Sequence, residues 1–342
     1  MNTIITKDEN SIKQIKKNLK TRLISATILV LLLGFYLAFP ILYYFTNNSS
    51  FHLLTAYNLI SLILSSVVLF LSIRELLISF NIKNLDQKLF LEILTVVLFW
   101  IPFSNIESKI PVYNSLNLKE YWYLIIIAIV LYLFLTTLFL MKFCNKNIIQ
   151  VTKILFVLLI MVFAFKAINF LGFLKINGVI LYGFSSIIWI WATIILTDSF
   201  AYLFGIRFGR HKLAPSISPK KSWEGAIGGF FLSTIINLIW VLTIFFVPWT
   251  RNFAPFIGMF DLLLNNNVTL MLLVYIFLTI LISLFTQFGD LVFSYIKRSI
   301  DVKDFSNLIP GHGGILDRLD SFYFVFFIIY IILHISLTFN RI

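Results

Sequence analysis

Charge is scarce in this chain. Asp, Glu, Lys and Arg make up 12% of its 342 residues, roughly half the share of an ordinary soluble domain, which excludes a water-soluble fold with a normal charged surface. Cysteine is scarcer still. Cys144 stands alone, so an intramolecular disulfide is excluded and a cysteine-based metal site has no ligand set. Also missing are a Gly/Ser tether, a low-complexity stretch and an internal repeat, and without them the sequence offers no boundary for a separate soluble domain.

What is present in their place is apolar sequence. Hydrophobic residues make up 60% of the chain and the mean hydropathy is +0.95. Most of the length falls in runs near the ~20 residues that cross a hydrocarbon core. Lipid offers no partner to a free backbone N–H or C=O, and the runs are too continuous for barrel strands, so the expected class is an all-α, polytopic membrane bundle. Nine spans are predicted, at roughly 23–45, 53–73, 89–104, 120–141, 152–172, 178–204, 225–248, 268–290 and 321–340, the third being the shortest. The first follows a basic lead, but it is longer than a secretory signal's apolar core and no small-residue cleavage pattern follows it, so it is read as an uncleaved span.

The formal net charge is +12. A nucleic-acid partner is not expected, because the basic residues are spread over short segments between spans instead of forming one patch. Topology explains them. With a cytoplasmic N-terminus, the segments 1–22, 74–88, 142–153, 205–222 and 297–318 lie inside and carry 21 of the 27 Lys and Arg residues, which is the positive-inside bias. Three regions follow: a basic cytoplasmic N-terminus (1–22), N-terminal spans (23–195), and a C-terminal part (196–342) with two polar cytoplasmic loops, expected to carry the chemistry.

The first of those loops contains Ser218, Lys220, Lys221, Ser222 and Glu224, the second Asp290, Ser294, Lys297, Arg298 and Lys303. On a helix leaving the membrane near Asp290, Ser294, Lys297 and Arg298 follow at i+4, i+7 and i+8, which puts an acid and two cations on one face. A glycine-rich break, Gly311-His312-Gly313-Gly314, then leads to Asp317 and Asp320 at i and i+3, expected at the start of the last span. Such glycines permit close backbone approach, so N–H groups entering the helix are expected to meet phosphate oxygens. Carboxylates without Cys or His partners suit a hard cation such as Mg²⁺. Carboxylates, ammonium groups and a divalent cation together are the equipment of phosphoryl or nucleotidyl transfer, where alignment and charge neutralisation supply most of the rate. No serine here has the paired base that a covalent nucleophile needs.

The run Ser294-x-Ile296-Lys297-Arg298, four residues, Lys303-Asp304-x-Ser306, and Leu308-Ile309-Pro310-Gly311-His312-Gly313-Gly314-Ile315-x-Asp317-Arg318-Leu319-Asp320 resembles the signature of the phosphatidate cytidylyltransferases, the CDP-diacylglycerol synthases. The segment from Asp198 to Gly229 is similar to bacterial members as well, so the resemblance covers the chain from about 195 onward. One departure is Phe293, where an acid is common in bacterial relatives. The resemblance implies an enzyme that joins CTP to phosphatidate in a bacterial cell membrane, giving CDP-diacylglycerol and pyrophosphate, with a homodimer as its expected assembly. It implies Asp290 and Asp317 as metal ligands, with Lys297, Arg298, Lys303 and Arg318 around the phosphates. A second metal or a monovalent cation beside Mg²⁺ is left open. Ser218, Lys220, Lys221, Ser222, Ser294, Lys303, His312, Gly313, Gly314 and Asp320 are the substrate-binding candidates, and spacing does not divide them between CTP and lipid.

Plainer readings compete for several of these residues. Lys and Arg in cytoplasmic loops also serve topology and anionic-lipid contact alone. Trp223 suits an interfacial anchor, and Lys166, inside the fifth span, is expected to be paired or to snorkel. Two rival functions remain: a lipid transporter or channel, which leaves the clustered carboxylates, cations and glycines unexplained, and a CTP-dependent enzyme acting on another lipid phosphate or a polyprenol.

Overall fold

The computed structural model describes residues 2–46, 50–103, 106–113, 122–263, 267–310 and 313–339. It is a helical membrane bundle. The long helices are α1 (Asn2–Phe45), α2 (Phe51–Ser79), α3 (Leu85–Trp100), α4 (Trp122–Lys142), α5 (Ile148–Phe173), α6 (Gly183–Phe208), α7 (Trp223–Phe246), α9 (Val268–Arg298) and α11 (Asp320–Phe339). Two short ones, α8 (Ile257–Leu263) and α10 (Ile315–Arg318), lie between them. The basic lead and the first span form one unbroken helix, α1. Side-chain caps set several starts: Asn147 accepts from the Gln150 N–H at 2.9 Å, Ser222 from Gly225 at 3.2 Å and Asn267 from Leu270 at 3.2 Å, each satisfying an orphan donor of a first turn.

Among the described residues eight helices are long and apolar enough to cross a membrane. The third expected span is the exception, since α3 has 16 residues. It nevertheless runs from one face to the other. Gln87 near its start donates to the Phe143 carbonyl just beyond α4, while the Ile101 carbonyl at its end accepts from Lys166, late in α5. At ~1.5 Å per residue such a helix falls short of ~30 Å of hydrocarbon, and the 3₁₀ turns Glu107–Lys109 and Pro111–Tyr113 continue on its far side. Among the described residues the all-α expectation is modified by two ribbons, β1 (Lys175–Ile176) with β2 (Val179–Ile180) and β3 (Lys212–Ala214) with β4 (Ser218–Ser222), both antiparallel, and by an isolated bridge between Ile309 and Gly313.

The axis of the bundle is α5. Its central stretch is 78% buried, against 17–56% for the other spans, and α1, α2, α3, α4, α6 and α11 pack around it. Large apolar side chains such as Leu31, Val130, Ile239 and Phe277 point outward and are exposed, as lipid-facing residues must be. The tightest pair is the α6–α7 hairpin. A Cβ added at Gly229 would lie 2.7 Å from that of Ala201, and one at Gly228 would meet the Phe204 ring at 2.4 Å, so small residues let these backbones approach. A hydroxyl triad of Thr197, Ser233 and Ser283, with oxygens 2.9–3.1 Å apart, ties α9 to that pair.

Candidate active site

At one face of the bundle, the ends of α2, α6 and α9, the starts of α7 and α11, the β3–β4 ribbon and α10 all meet. α9 presents Asp290, Ser294 and Lys297 to this junction, as its 3.6-residue period requires. Lys297 Nζ reaches Asp317 Oδ1 at 3.0 Å and Asp320 Oδ2 at 3.6 Å. Lys221 Nζ, from the end of β4, pairs with Asp290 Oδ2 at 2.6 Å, and Ser294 Oγ stands 3.3 Å from Asp290 Oδ1. Asp198 on α6 lies within electrostatic reach of Asp290, Asp320 and Lys221. The result is one cluster of four carboxylates and two ammonium groups.

Exposure is graded across it. The side chains of Asp317 and Lys297 are 5% and 10% accessible, those of Lys221 and Asp290 25% and 30%. The inner pair is therefore fixed and the outer pair open to a ligand. Asp317 also accepts the N–H groups of Phe305 at 2.8 Å and Gly314 at 3.1 Å on its second oxygen, so it organises its own loop. Four acids against two cations leave a negative excess, and the donor set is all oxygen. An all-oxygen donor set suits a hard divalent cation, but among the described residues no three of these acids are grouped to hold a metal ion in this arrangement. Any cation held by Asp317 would displace the Lys297 ammonium from Oδ1.

Several expected residues take other places. Asp317 belongs to α10, with a break at Leu319, so it and Asp320 converge on Lys297 from two elements instead of one helix face. Arg298 is turned away: its guanidinium donates to the Ile217 carbonyl at 3.2 Å and to Val302 at 3.0 Å, because it sits about 100° round the helix from Lys297. Ser222 is the buried cap of α7. Ser218 forms the Ala214 pair of the ribbon. Lys220, Lys303 and Arg318 are exposed, and His312 lies outside the described residues. Phe293, the departure from bacterial relatives just ahead of the signature, is buried with its ring edge-on to Phe305, so the position faces the core here. Trp223 is 54% exposed at the start of α7, as an interfacial anchor would be.

The backbone donors of the glycine-rich break are the main correction. Gly313 has φ +85°, and the N–H groups that follow are taken up by the chain's own carboxylates. Gly314 donates to Asp317, and Ile315 and Leu316 donate to Glu75. Sequence reasoning missed Glu75 altogether and gave Asp198 no role, although Asp198 stands in the segment that carries the resemblance. A signal for Glu75 exists, since Asn58, Ser61, Ser65, Ser72 and Glu75 are buried polar residues on a single face of α2.

Residues 20–336 match the family model described as the Cytidylyltransferase family. The chain belongs to that family. Among its relatives, a protein of Staphylococcus haemolyticus named phosphatidate cytidylyltransferase is 44% identical over 143 residues, 42% of this chain and 46% of the relative. A Staphylococcus aureus protein of the same name is 43% identical over 166 residues, covering 47% and 53%, and one of Staphylococcus epidermidis is 40% identical over 162, covering 47% and 53%. The chain thus spans about half the length of the curated relatives it matches. The cytidylyltransferase match takes in the N-terminal spans, where the sequence alone shows only apolar runs.

Proposed function

We propose that the chain transfers the cytidylyl group of CTP to phosphatidate, giving CDP-diacylglycerol and pyrophosphate. The observation that carries this reading is the convergence of Asp290, Asp317 and Asp320 with Lys221 and Lys297 at one membrane face, within a chain of the cytidylyltransferase family. A phosphatidate phosphate oxygen forms the new bond to the α-phosphorus, and the bond from that phosphorus to the pyrophosphate oxygen breaks. The attacking oxygen is already anionic near neutral pH, so no strong general base is needed. Lys221 and the exposed Lys220, Lys303 and Arg318 draw the triphosphate in and neutralise the departing pyrophosphate, while Lys297, displaced from Asp317 Oδ1 by a bound cation, stays beside Asp320 on the inner wall. Asp290 and Asp317, assisted by Asp198 and Asp320, would hold Mg²⁺, which when bound supplies charge neutralisation on the phosphate oxygens. A second metal or a monovalent cation would find further carboxylate oxygens in the same cluster.

The cluster lies where the cytoplasmic leaflet is expected from the Lys and Arg distribution, so the lipid phosphate and cytosolic CTP would meet there. The test is release of pyrophosphate from CTP by the purified protein in detergent, with and without phosphatidate and Mg²⁺. Release that needs both supports the reading. Release with a different lipid phosphate but not with phosphatidate overturns the substrate, and no release from folded protein with any lipid phosphate overturns the activity.

A further inference from the structure

The carboxylate of Glu75 is buried, 4% accessible, near the end of α2. Its Oε1 accepts the Ser306 hydroxyl at 2.7 Å and the Ile315 N–H at 3.0 Å, and its Oε2 accepts the Leu316 N–H at 2.8 Å. All three donors belong to the signature loop, more than 230 positions away in the chain. Glycine at 314 is part of the same fit: a Cβ there would stand 2.5 Å from Glu75 Oε2 and 2.8 Å from Ser306 Oγ. Among the described residues Glu75 has no ion pair. Its neighbour Arg74 faces the other way, onto Glu92 at 2.9 and 3.1 Å.

A buried carboxylate without a cation costs several kcal/mol unless hydrogen bonds satisfy it. Here they do, and charge-assisted bonds from N–H groups are roughly twice as strong as neutral ones. The cost is borne by a helix from the half of the chain that has no signature. Asp317 holds the neighbours of the groups that Glu75 grips, through the N–H groups of Phe305 and Gly314. One acid from α2 and one from α10 thus hold the loop between them, and Asp317 in turn fixes Lys297.

We infer that Glu75 is a positioning residue: an internal anion that fixes the signature loop, and through it Asp317 and Lys297, in the arrangement that turnover requires. It touches no reacting atom. The inference rests on the cytidylyltransferase reading for its effect on rate, but the clamp itself is independent of that reading. A glutamine in its place keeps the size and loses the geometry, because its amide NH₂ would be set against an N–H donor.

The decisive experiment pairs hydrogen–deuterium exchange with kinetics on the full-length protein in detergent, for the native chain, Glu75→Gln, Glu75→Asp and Ser306→Ala. In Glu75→Gln, deuterium uptake should rise in peptides covering 305–319 and stay unchanged in α5. Its kcat for CTP- and phosphatidate-dependent pyrophosphate release should fall at least tenfold, with KM for CTP within about threefold. Glu75→Asp should recover part of both readouts, and the double variant Glu75→Gln with Ser306→Ala should be no worse than Glu75→Gln alone. Unchanged uptake in Glu75→Gln overturns the clamp. Raised uptake with undiminished kcat overturns the positioning role. If Glu75→Gln does not accumulate in the membrane, Ser306→Ala carries the exchange test, and unchanged uptake there overturns the clamp equally. A native protein that releases no pyrophosphate defeats the cytidylyltransferase reading and leaves the exchange arm to decide on Glu75.

Discussion

Two buried ionic clusters sit at opposite faces of this bundle, and they differ in how completely they are closed. At the far face, Glu107 accepts from the Phe103 N–H at 2.8 Å, from Lys166 Nζ at 3.3 Å and from the Tyr330 hydroxyl, with His334 Nε2 at 3.7 Å. Lys166 also donates to the Ile101 carbonyl at 2.6 Å and lies over the Phe103 ring. One acid there meets one ammonium, and both side chains are 3% accessible. At the near face four carboxylates share two ammonium groups, and accessibility rises from 5% at Asp317 to 30% at Asp290. A balanced, sealed pair holds a loop to its helices. An unbalanced, half-open one retains capacity for a charged ligand, and that difference separates the two readings of buried charge in a membrane.

The comparison breaks most sharply by removing its charges singly. Asp290→Asn is expected to lower kcat for pyrophosphate release by about two to three orders of magnitude, the usual scale for losing a contributor to charge neutralisation, here a ligand of the cation, with the melting curve in detergent little changed. Chelation of divalent cations should have the same effect, reversed by added Mg²⁺. Full activity in either case would place the near-face cluster with the far-face one, as scaffolding. Lys166→Met should behave oppositely, costing about 3–5 kcal/mol of stability as Glu107 is left buried without its partner, while the protein that remains folded turns over normally. The matching double change, Glu107→Gln with Lys166→Met, should restore most of that stability. Unfolding followed by size-exclusion fluorescence would measure both.

Smaller effects sharpen the picture. Arg298→Ala is expected to reduce kcat less than tenfold, since its bonds go to the Ile217 and Val302 carbonyls and tether the ribbon to α9; a loss as large as that of Asp290→Asn would put its guanidinium on the substrate. The smallest perturbation tests which face is which. In a Cys144→Ser background, Lys303→Cys should be modified by an impermeant maleimide in inside-out vesicles and protected in intact cells, and the reverse pattern would turn the molecule over.

Much of this architecture is legible in sequence because membrane helices announce themselves by length and hydropathy. The register of α9 is legible too: one period fixes Asp290, Ser294 and Lys297 on a common side. The partners of these residues are less so. Glu75 reads as an ordinary acid at a helix end beside Arg74, and its 231-residue separation from Ser306 leaves no local pattern. Pairing of Lys166 can be expected from the cost of a bare charge in lipid, but its partner, Glu107, sits in a polar loop where an acid draws no notice. The glycine-rich break misleads for a related reason. Glycines advertise backbone donors without saying which anion takes them, and here the chain's own carboxylates do.

The helix α11 closes both clusters, giving Asp320 to one and Tyr330 and His334 to the other. It is synthesised after every element it touches in the bundle. Until it inserts, a nascent chain carries Glu107 and Lys166 half-satisfied at one leaflet and Lys297 without Asp320 at the other. Closure of both clusters is therefore a single event in biogenesis, and a ribosome stalled before α11 would leave a chain marked at both faces for membrane quality control.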